Sequence, residues 1–595
     1  MKNINRFLVL IIPVSGILFY SCETMELDKV VDPNELSVDQ SDPDLLLNSI
    51  QLDYLNSMSI FNDISEDLSR ITQSRARDYL NFYGPTTLNN AWLNIYSGII
   101  PDVANIQALH DDPDSDRDLS FHLGISKTIQ AHSMMLLVDF LGDIVYSQAN
   151  NPVEFPFPVV DDDEDVYDAA FTLLEEARDH LNTASVGSAT DFFYGGDTDK
   201  WLKLVNTLEM RFNLTVGNYS EVVNASAVIV DSEDDMVFKY GTNVLSPDSR
   251  HPDYASDYRD RGTGFYKSNW LMDLMVGEFG DFSADTDPRR RYYFYRQSWI
   301  TPGNYALFED VLGLIGPPGA IYISFENDIQ EGIICSIDLT PPHLQFTPDE
   351  DTWCSLPLGY WGRPHGNGGG FPPDSFDRTA TGVYPSGGSF DAAPDAFPWV
   401  GVFPDLGQQV GLGNGGGGAG IEPIMLASFV DFMKAEANLH LGNLGPATMH
   451  FEAGITKSIS KVMAFVALDV GADLSQAPDA TTVANFIADK VAEFGAASLT
   501  SGLDGFGWPV EKDKMDLLGE QYFIAMYGGG ADGFNFIRRT GYPRTLQRHL
   551  FPVPGPFPRT FLYPSNEVST NPNLSQRTDL NTLVFWDQGI LNPAN

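Results

Sequence analysis

The chain has 595 residues, of which 43% are hydrophobic and 19% charged, a balance that excludes an intrinsically disordered protein and suffices for a large core. Its 35 Lys and Arg stand against 81 Asp and Glu, a formal net charge of -46. That charge excludes nucleic acid, whose binding is mostly electrostatic, and excludes an anionic polysaccharide spread over the whole surface, although a local basic pocket would still hold one.

Met1–Arg6 is a short basic head, Phe7–Tyr20 is an apolar run broken only by Pro13, Ser15 and Gly16, and Ser21-Cys22 precedes an acidic, polar stretch. These are the parts of a secretory signal, with the cysteine after the cut that marks the bacterial lipoprotein version. The expectation is a signal over 1–21, lipid on the Cys22 thiol, and a tether over 22–45. The apolar run is too short to span a bilayer, which takes about 20 residues, so the body hangs from a membrane by acyl chains.

Beyond the tether, apolar residues recur at helical spacing. Helices are predicted over Leu88–Leu109, Leu119–Leu141, Val166–Leu181 and Asp199–Val216. A second helical block runs from about Pro423 to Tyr527, through Met425–Leu441, Ala447–Leu468, Thr482–Phe494 and Lys512–Tyr527. Helices paired by short turns give a mainly α fold of tetratricopeptide-like helix pairs, without the strict repeat signature. Between the blocks, residues 301–420 hold 23 of the 53 glycines and two basic residues, Arg363 and Arg378, which reads as a long irregular region with short strands at most. A loop of such length is usually functional. The tail from Arg538 is rich in proline and aromatics and is expected to wrap over the helical body. Cys335 and Cys354 lie in the irregular region, where a disulfide and two buried thiols are both open.

Ordered along the chain are Ala91-Trp92-x3-Tyr96, Asp139-Phe-Leu-Gly-Asp143-Ile-Val-Tyr146-Ser147, and Asp191-Phe-Phe-Tyr194-Gly-Gly-Asp197 followed by Lys200-Trp201-x4-Asn206-x-Leu208-x2-Arg211. Then come Asp287-Pro288-Arg289 with Tyr292-Tyr293-Phe294, Phe432-x3-Glu436-Ala437, Arg538-Arg539-Thr-Gly-Tyr542-Pro543, Pro558-Arg559 and Tyr563-Pro564-x2-Glu567-x3-Asn571. Behind a lipoprotein signal, this series resembles the SusD/RagB family of Bacteroidota outer-membrane lipoproteins, and particularly its SusD-like branch. The resemblance implies a single SusD-like domain over 46–595, with helical blocks at about 46–220 and 423–527 and a loop-rich insertion at about 300–420. It also implies capture of a nutrient outside the cell, usually an oligosaccharide and in some members a peptide, and delivery to a SusC-like TonB-dependent outer-membrane transporter, without cofactor, metal or catalysis. On physical grounds the motif residues are scaffold: Asp197 suits a helix N-cap, and Arg538 and Arg539 suit fork-like pairs with carboxylates.

No P-loop, HExxH pair or Gly-x-Ser-x-Gly elbow is present. Ser458-Ile-Ser-Lys461 fits Ser-x-x-Lys without its partner motifs. Asp112-Pro-Asp114-Ser-Asp116-Arg-Asp118 alternates carboxylates like a calcium loop, but has Arg117 and Leu123 where the loop wants glycine and glutamate. Asp161–Asp165 precedes a helix and is expected to supply N-terminal charge.

Sugar capture needs aromatic rings to stack on pyranose faces and polar side chains to bond the hydroxyls. The ring candidates are Trp353, Tyr360, Trp361, Phe371 and Tyr384, with Arg363, Asn367 and Asp374 as polar neighbours and Trp270, Tyr292 and Trp299 as a second group. Against this stands the reading that such rings pin a long loop to the body. The competing functions are an accessory docking subunit of an outer-membrane assembly and a surface hydrolase with a carboxylate pair in a cleft.

Overall fold

The computed structural model describes residues 41–114, 117–185, 187, 189–259, 263–276, 286–297, 359–367, 378–393, 395, 413–505, 507, 509–551 and 553–595. Helix α1 (Pro43–Leu68) opens the body and buries Leu47, Ile50, Tyr54, Met58, Phe61 and Leu68, one stripe at helical spacing. It begins where the acidic tether was expected to continue, and its buried face runs on for 26 residues.

The helix expected over 88–109 is split into α2 (Asn89–Leu93), a π-helical turn (Asn94–Ile99) and α3 (Ile100–His110). Pro101 is the cause: it lacks an N–H and its ring collides with the carbonyl four residues back, so it is placed in the first turn of a new helix and the wider turn takes up the mismatch. Helix α4 (Ser120–Leu141) is buried on every side except at Lys127, the mark of a central helix. Helix α5 (Asp163–Thr183) packs against it closely: a Cβ on Gly124 would lie 2.5 Å from Leu181 Cγ. Asp162 caps α5, and Asp163, Glu164 and Asp165 fill its first turn, as the acidic run implied. Asp197 caps α6 (Thr198–Thr215) by accepting from the Lys200 N–H at 3.2 Å.

Helix α7 (Asn269–Val276) leads toward the irregular region. The second block comprises α8 (Ala427–His440) and α9 (Leu444–Ala464), packed as a pair, then α10 (Ala480–Ala496), α11 (Lys514–Ala525) and α12 (Ala531–Thr540). Helix α12 returns to pack on α1, so the end of the second helical block touches the first helix of the body. Among the described residues, sheet is confined to two antiparallel pairs: β1 (Met236–Lys239) with β4 (Ile421–Met425), and β2 (Phe294–Tyr295) with β3 (Ala380–Thr381).

The tail does wrap over the body. Its Phe561 N–H donates to Phe140 O at 2.8 Å, Tyr563 OH to Asp143 O at 3.0 Å, and the Phe585 N–H to Asp163 at 2.8 Å, stapling the α4–α5 junction. No helix of the described residues is long and apolar enough to cross a membrane.

Candidate ligand-binding site

The motif residues build the scaffold. Arg211 on α6 donates to Asp139 at 2.8 Å and to Asp532 at 2.7 Å. Asp139 also accepts from Tyr167 OH, Asn535 Nδ2 and Trp586 Nε1, so one buried carboxylate joins α4, α5, α6, α12 and the tail. Arg539 grips Glu436 with both fork nitrogens, as anticipated. Arg538 departs from that expectation: it stacks on Phe534 at 3.8 Å and Trp586 at 4.6 Å and donates to Asn535 and to Arg559 O.

The catalytic motifs do not assemble. Ser458 receives a hydrogen bond from Arg289, and Lys461 pairs with Asp235 at 2.6 Å, so the two belong to separate networks. Of the alternating acidic loop, Asp112 accepts from the Asp114 N–H, and Asp116 lies outside the described residues. Among the described residues, Asp143, Asp162 and Asp163 are the one trio whose oxygens lie close enough to share a cation. These oxygens already accept the backbone N–H groups of Asp163, Glu164 and Phe585, at the positive end of α5.

Of the predicted ring candidates, Trp299, Trp353 and Phe371 lie outside the described residues, as do Asp374, Cys22, Cys335 and Cys354. The other five rings depart from the expectation of an open platform, for Tyr360, Trp361, Tyr384, Trp270 and Tyr292 are all buried, as is the polar neighbour Arg363. Tyr360 lies under the guanidinium of Arg296 at 4.6 Å and bonds Arg290. Trp270 packs edge-on to Phe523, and its Nε1 donates to Thr545 O at 2.9 Å. Tyr384 stacks on Tyr293, and Tyr292 meets Phe390 edge-on. Glycine-rich chain has little other apolar area with which to hold itself to the body, so its large rings are used as pins.

What the structure exposes lies beside Arg363. Four loops meet there, at 69–83, 263–268, 359–367 and 547–557. Thr72 bridges to Lys267, Ser268 to Arg363, and the Gly366 N–H donates to Ser74 O at 3.0 Å. The Leu550 N–H donates to His365 O, and the Tyr79 N–H to Pro554 O. Beneath them, Tyr79 OH bonds His365 Nε2 at 2.9 Å, and His549 donates from Nε2 to Ala76 O at 2.6 Å while its Nδ1 accepts from the Phe551 N–H. Burial holds the His549 imidazole down to about 4 and His365 well below its ordinary value, so both pins are neutral at neutral pH.

Above these pins the surface is aromatic and basic. Phe265 is 50% exposed and carries the Arg75 guanidinium 5.1 Å from its ring centre. Phe551, half-buried, carries Arg77 at 5.3 Å. Next to Phe265, Tyr266 receives Arg363 at 4.1 Å and Arg378 at 3.9 Å. Phe82 is exposed at the other end of the 69–83 loop. Sequence reasoning placed Arg363 and Asn367 in this neighbourhood but missed Arg75, Arg77, Phe265 and Phe551. The signal for them was slight: two arginines two positions apart, in a non-helical stretch of an acidic chain.

Residues 33–309 match the family described as "Starch-binding associating with outer membrane", and residues 422–581 match "Susd and RagB outer membrane lipoprotein". No curated protein matches the sequence. Among solved structures, a SusD/RagB family protein of Bacteroides thetaiotaomicron is similar at 16% identity and a TM-score of 0.58, over 92% of this chain and 99% of its own. A chitin-binding SusD homolog from Flavobacterium johnsoniae is similar at 16% identity and a TM-score of 0.54, over 92% of this chain and 100% of its own. A SusD homolog from Bacteroides uniformis is similar at 17% identity and a TM-score of 0.56, again over 92% and 100%. With both halves of the body matched by family and the helical scaffold shared throughout, the chain belongs to the SusD/RagB family.

Proposed function

We propose that this protein is a cell-surface lipoprotein, held by acyl chains on Cys22, that captures an oligosaccharide and passes it to a partner TonB-dependent outer-membrane transporter without cleaving it. The reading is supported by the family and by chitin binding in a structural relative. The observation that carries it is the open ring of Phe265, mounted on loops pinned by buried hydrogen bonds. A ring fixed in advance loses little freedom when a sugar face stacks on it. Purified protein applied to a glycan panel should bind at least one oligosaccharide, and Phe265→Ala should weaken that binding about tenfold with an unchanged melting temperature. A panel that binds nothing, or a variant that binds like the parent, would remove the site. Cys22→Ser should abolish lipid labelling and free the protein from the membrane fraction, and the partner barrel should co-purify with the parent protein.

A further inference from the structure

The charge balance makes arginine partners easy to find here. With 81 acidic residues for 35 basic ones, most buried arginines sit on carboxylates: Arg211 on Asp139, Arg289 on Asp287, Arg296 on Asp391, Arg539 on Glu436, Arg544 on Asp516. Arg75 and Arg77 break this pattern. Both are exposed, and among the described residues neither makes an ion pair with a carboxylate, although the charge of Arg75 reaches Asp67; each lies over a ring, Phe265 or Phe551. Arg75 also donates to Gly264 O at 3.3 Å. Asp78, the nearest carboxylate in sequence, accepts from the Asn81 N–H as the cap of the short helix Tyr79–Phe82. Asp67 accepts from Thr72 Oγ1 at 3.0 Å.

The backbone between the two arginines is held. Ala76 is fully buried, its N–H donates to Ser74 Oγ and its carbonyl accepts from His549. Exposure therefore alternates along Arg75-Ala76-Arg77, and the two arginines stand two positions apart in one exposed loop. A guanidinium resting on a ring keeps its edge free for a planar, two-pronged acceptor. Two such guanidiniums in one loop, with the half-exposed ring of Phe265 beside them, suit a chain molecule that offers both pyranose faces and oxyanions.

We infer that the glycan taken by this face is acidic, with a uronate carboxylate or a sulfate received by Arg75 and Arg77 while Phe265 stacks on a sugar ring. This deepens the proposed function and rests on it. The strongly acidic remainder of the surface does not forbid it, since charges more than about 8 Å away are largely screened at physiological salt. Instead it rejects polyanions elsewhere and leaves the loop face as the place where one is tolerated.

Titration of the purified mature protein with an oligogalacturonide, a sulfated galactan oligosaccharide, a chito-oligosaccharide and a polyglutamate peptide tests this. One of the two acidic oligosaccharides should bind at least about tenfold more tightly than the neutral one, and which of the two does so identifies carboxylate or sulfate. That affinity should fall as salt rises from about 50 to about 300 mM. Arg75→Gln and Arg77→Gln should each weaken it about tenfold while melting with the parent, because both side chains are exposed. Neutral sugar bound as well as or better than acidic sugar, with no effect of either arginine variant, overturns this inference and leaves glycan capture standing. Polyglutamate bound as tightly as the acidic sugars overturns it in favour of a peptide. Failure of every sugar to bind takes the proposed function with it.

Discussion

The Asp139–Arg211 hub and the four-loop face use the same residue types to opposite ends. In the hub, guanidinium, carboxylate and rings are sealed inside the helical body, and every group answers another from a distant part of the chain. On the loop face, Arg75 and Arg77 lie over rings with no ion pair to a carboxylate among the described residues, and Phe265 stays half open to water. An arginine beside an aromatic braces the body where both are buried, as Arg538 does between Phe534 and Trp586, and faces solvent where a loop leaves it exposed, as at Arg75 and Arg77.

The contrast breaks most sharply under substitution. Arg211→Ala leaves Asp139 buried with its charge uncompensated and should cost about 3–5 kcal/mol, read as a large drop in the melting temperature. A parent-like melt would show that the hub is no brace. Trp270→Ala, at one of the buried rings first suspected of touching ligand, should cost about 3–5 kcal/mol through the cavity it leaves, measured by denaturant unfolding. A small loss of stability with a large loss of binding would return Trp270 to the ligand site.

A third measurement uses the buried junction where Asn62 on α1 donates to Glu422 on β4 at 2.7 Å and the Gly530 N–H before α12 donates to Glu66 at 3.0 Å. Burial pushes the Glu422 carboxyl up to about 8 and raises Glu66 well above its ordinary value. A carboxyl raised on folding favours the folded state below its unfolded pKa, about 4.5, and loses that advantage as pH climbs through the folded value. Stability should therefore decline between about pH 5 and about pH 8, by roughly 3–4 kcal/mol, and Glu422→Gln should flatten the profile. A rise with pH over that window would contradict the protonated junction. The smallest effect belongs to the loop face: Phe265→Ala and Arg75→Gln should change stability by less than about 0.5 kcal/mol, and a larger loss would mean that these side chains hold the loops together.

Much of the body was legible. The stretch Leu119–Leu141 became α4 (Ser120–Leu141) with its end unmoved, because a run of apolar residues closed by Gly142 leaves few alternatives. Asp197 could be named a cap from its place before an amphipathic run. Where local periodicity failed, the cause was steric or distant. Pro101 broke a helix whose apolar spacing was otherwise continuous, and α1 begins inside what its acidic composition marked as tether, since its burial depends on α4 and α12.

The ring candidates show the limit. Tyr360 and Tyr384 lie among glycines and prolines, as a binding loop's rings would, yet both are buried, and composition cannot say which face of a loop meets the body. Sequence alone settled the charge class, the helical scaffold and the family motifs, because charge is a sum and helix periodicity is read within a few turns. The meeting of Ser74, Phe265, His365 and His549 was decided only by tertiary packing, which brings together loops hundreds of residues apart and chooses which arginines find carboxylates and which are left facing water.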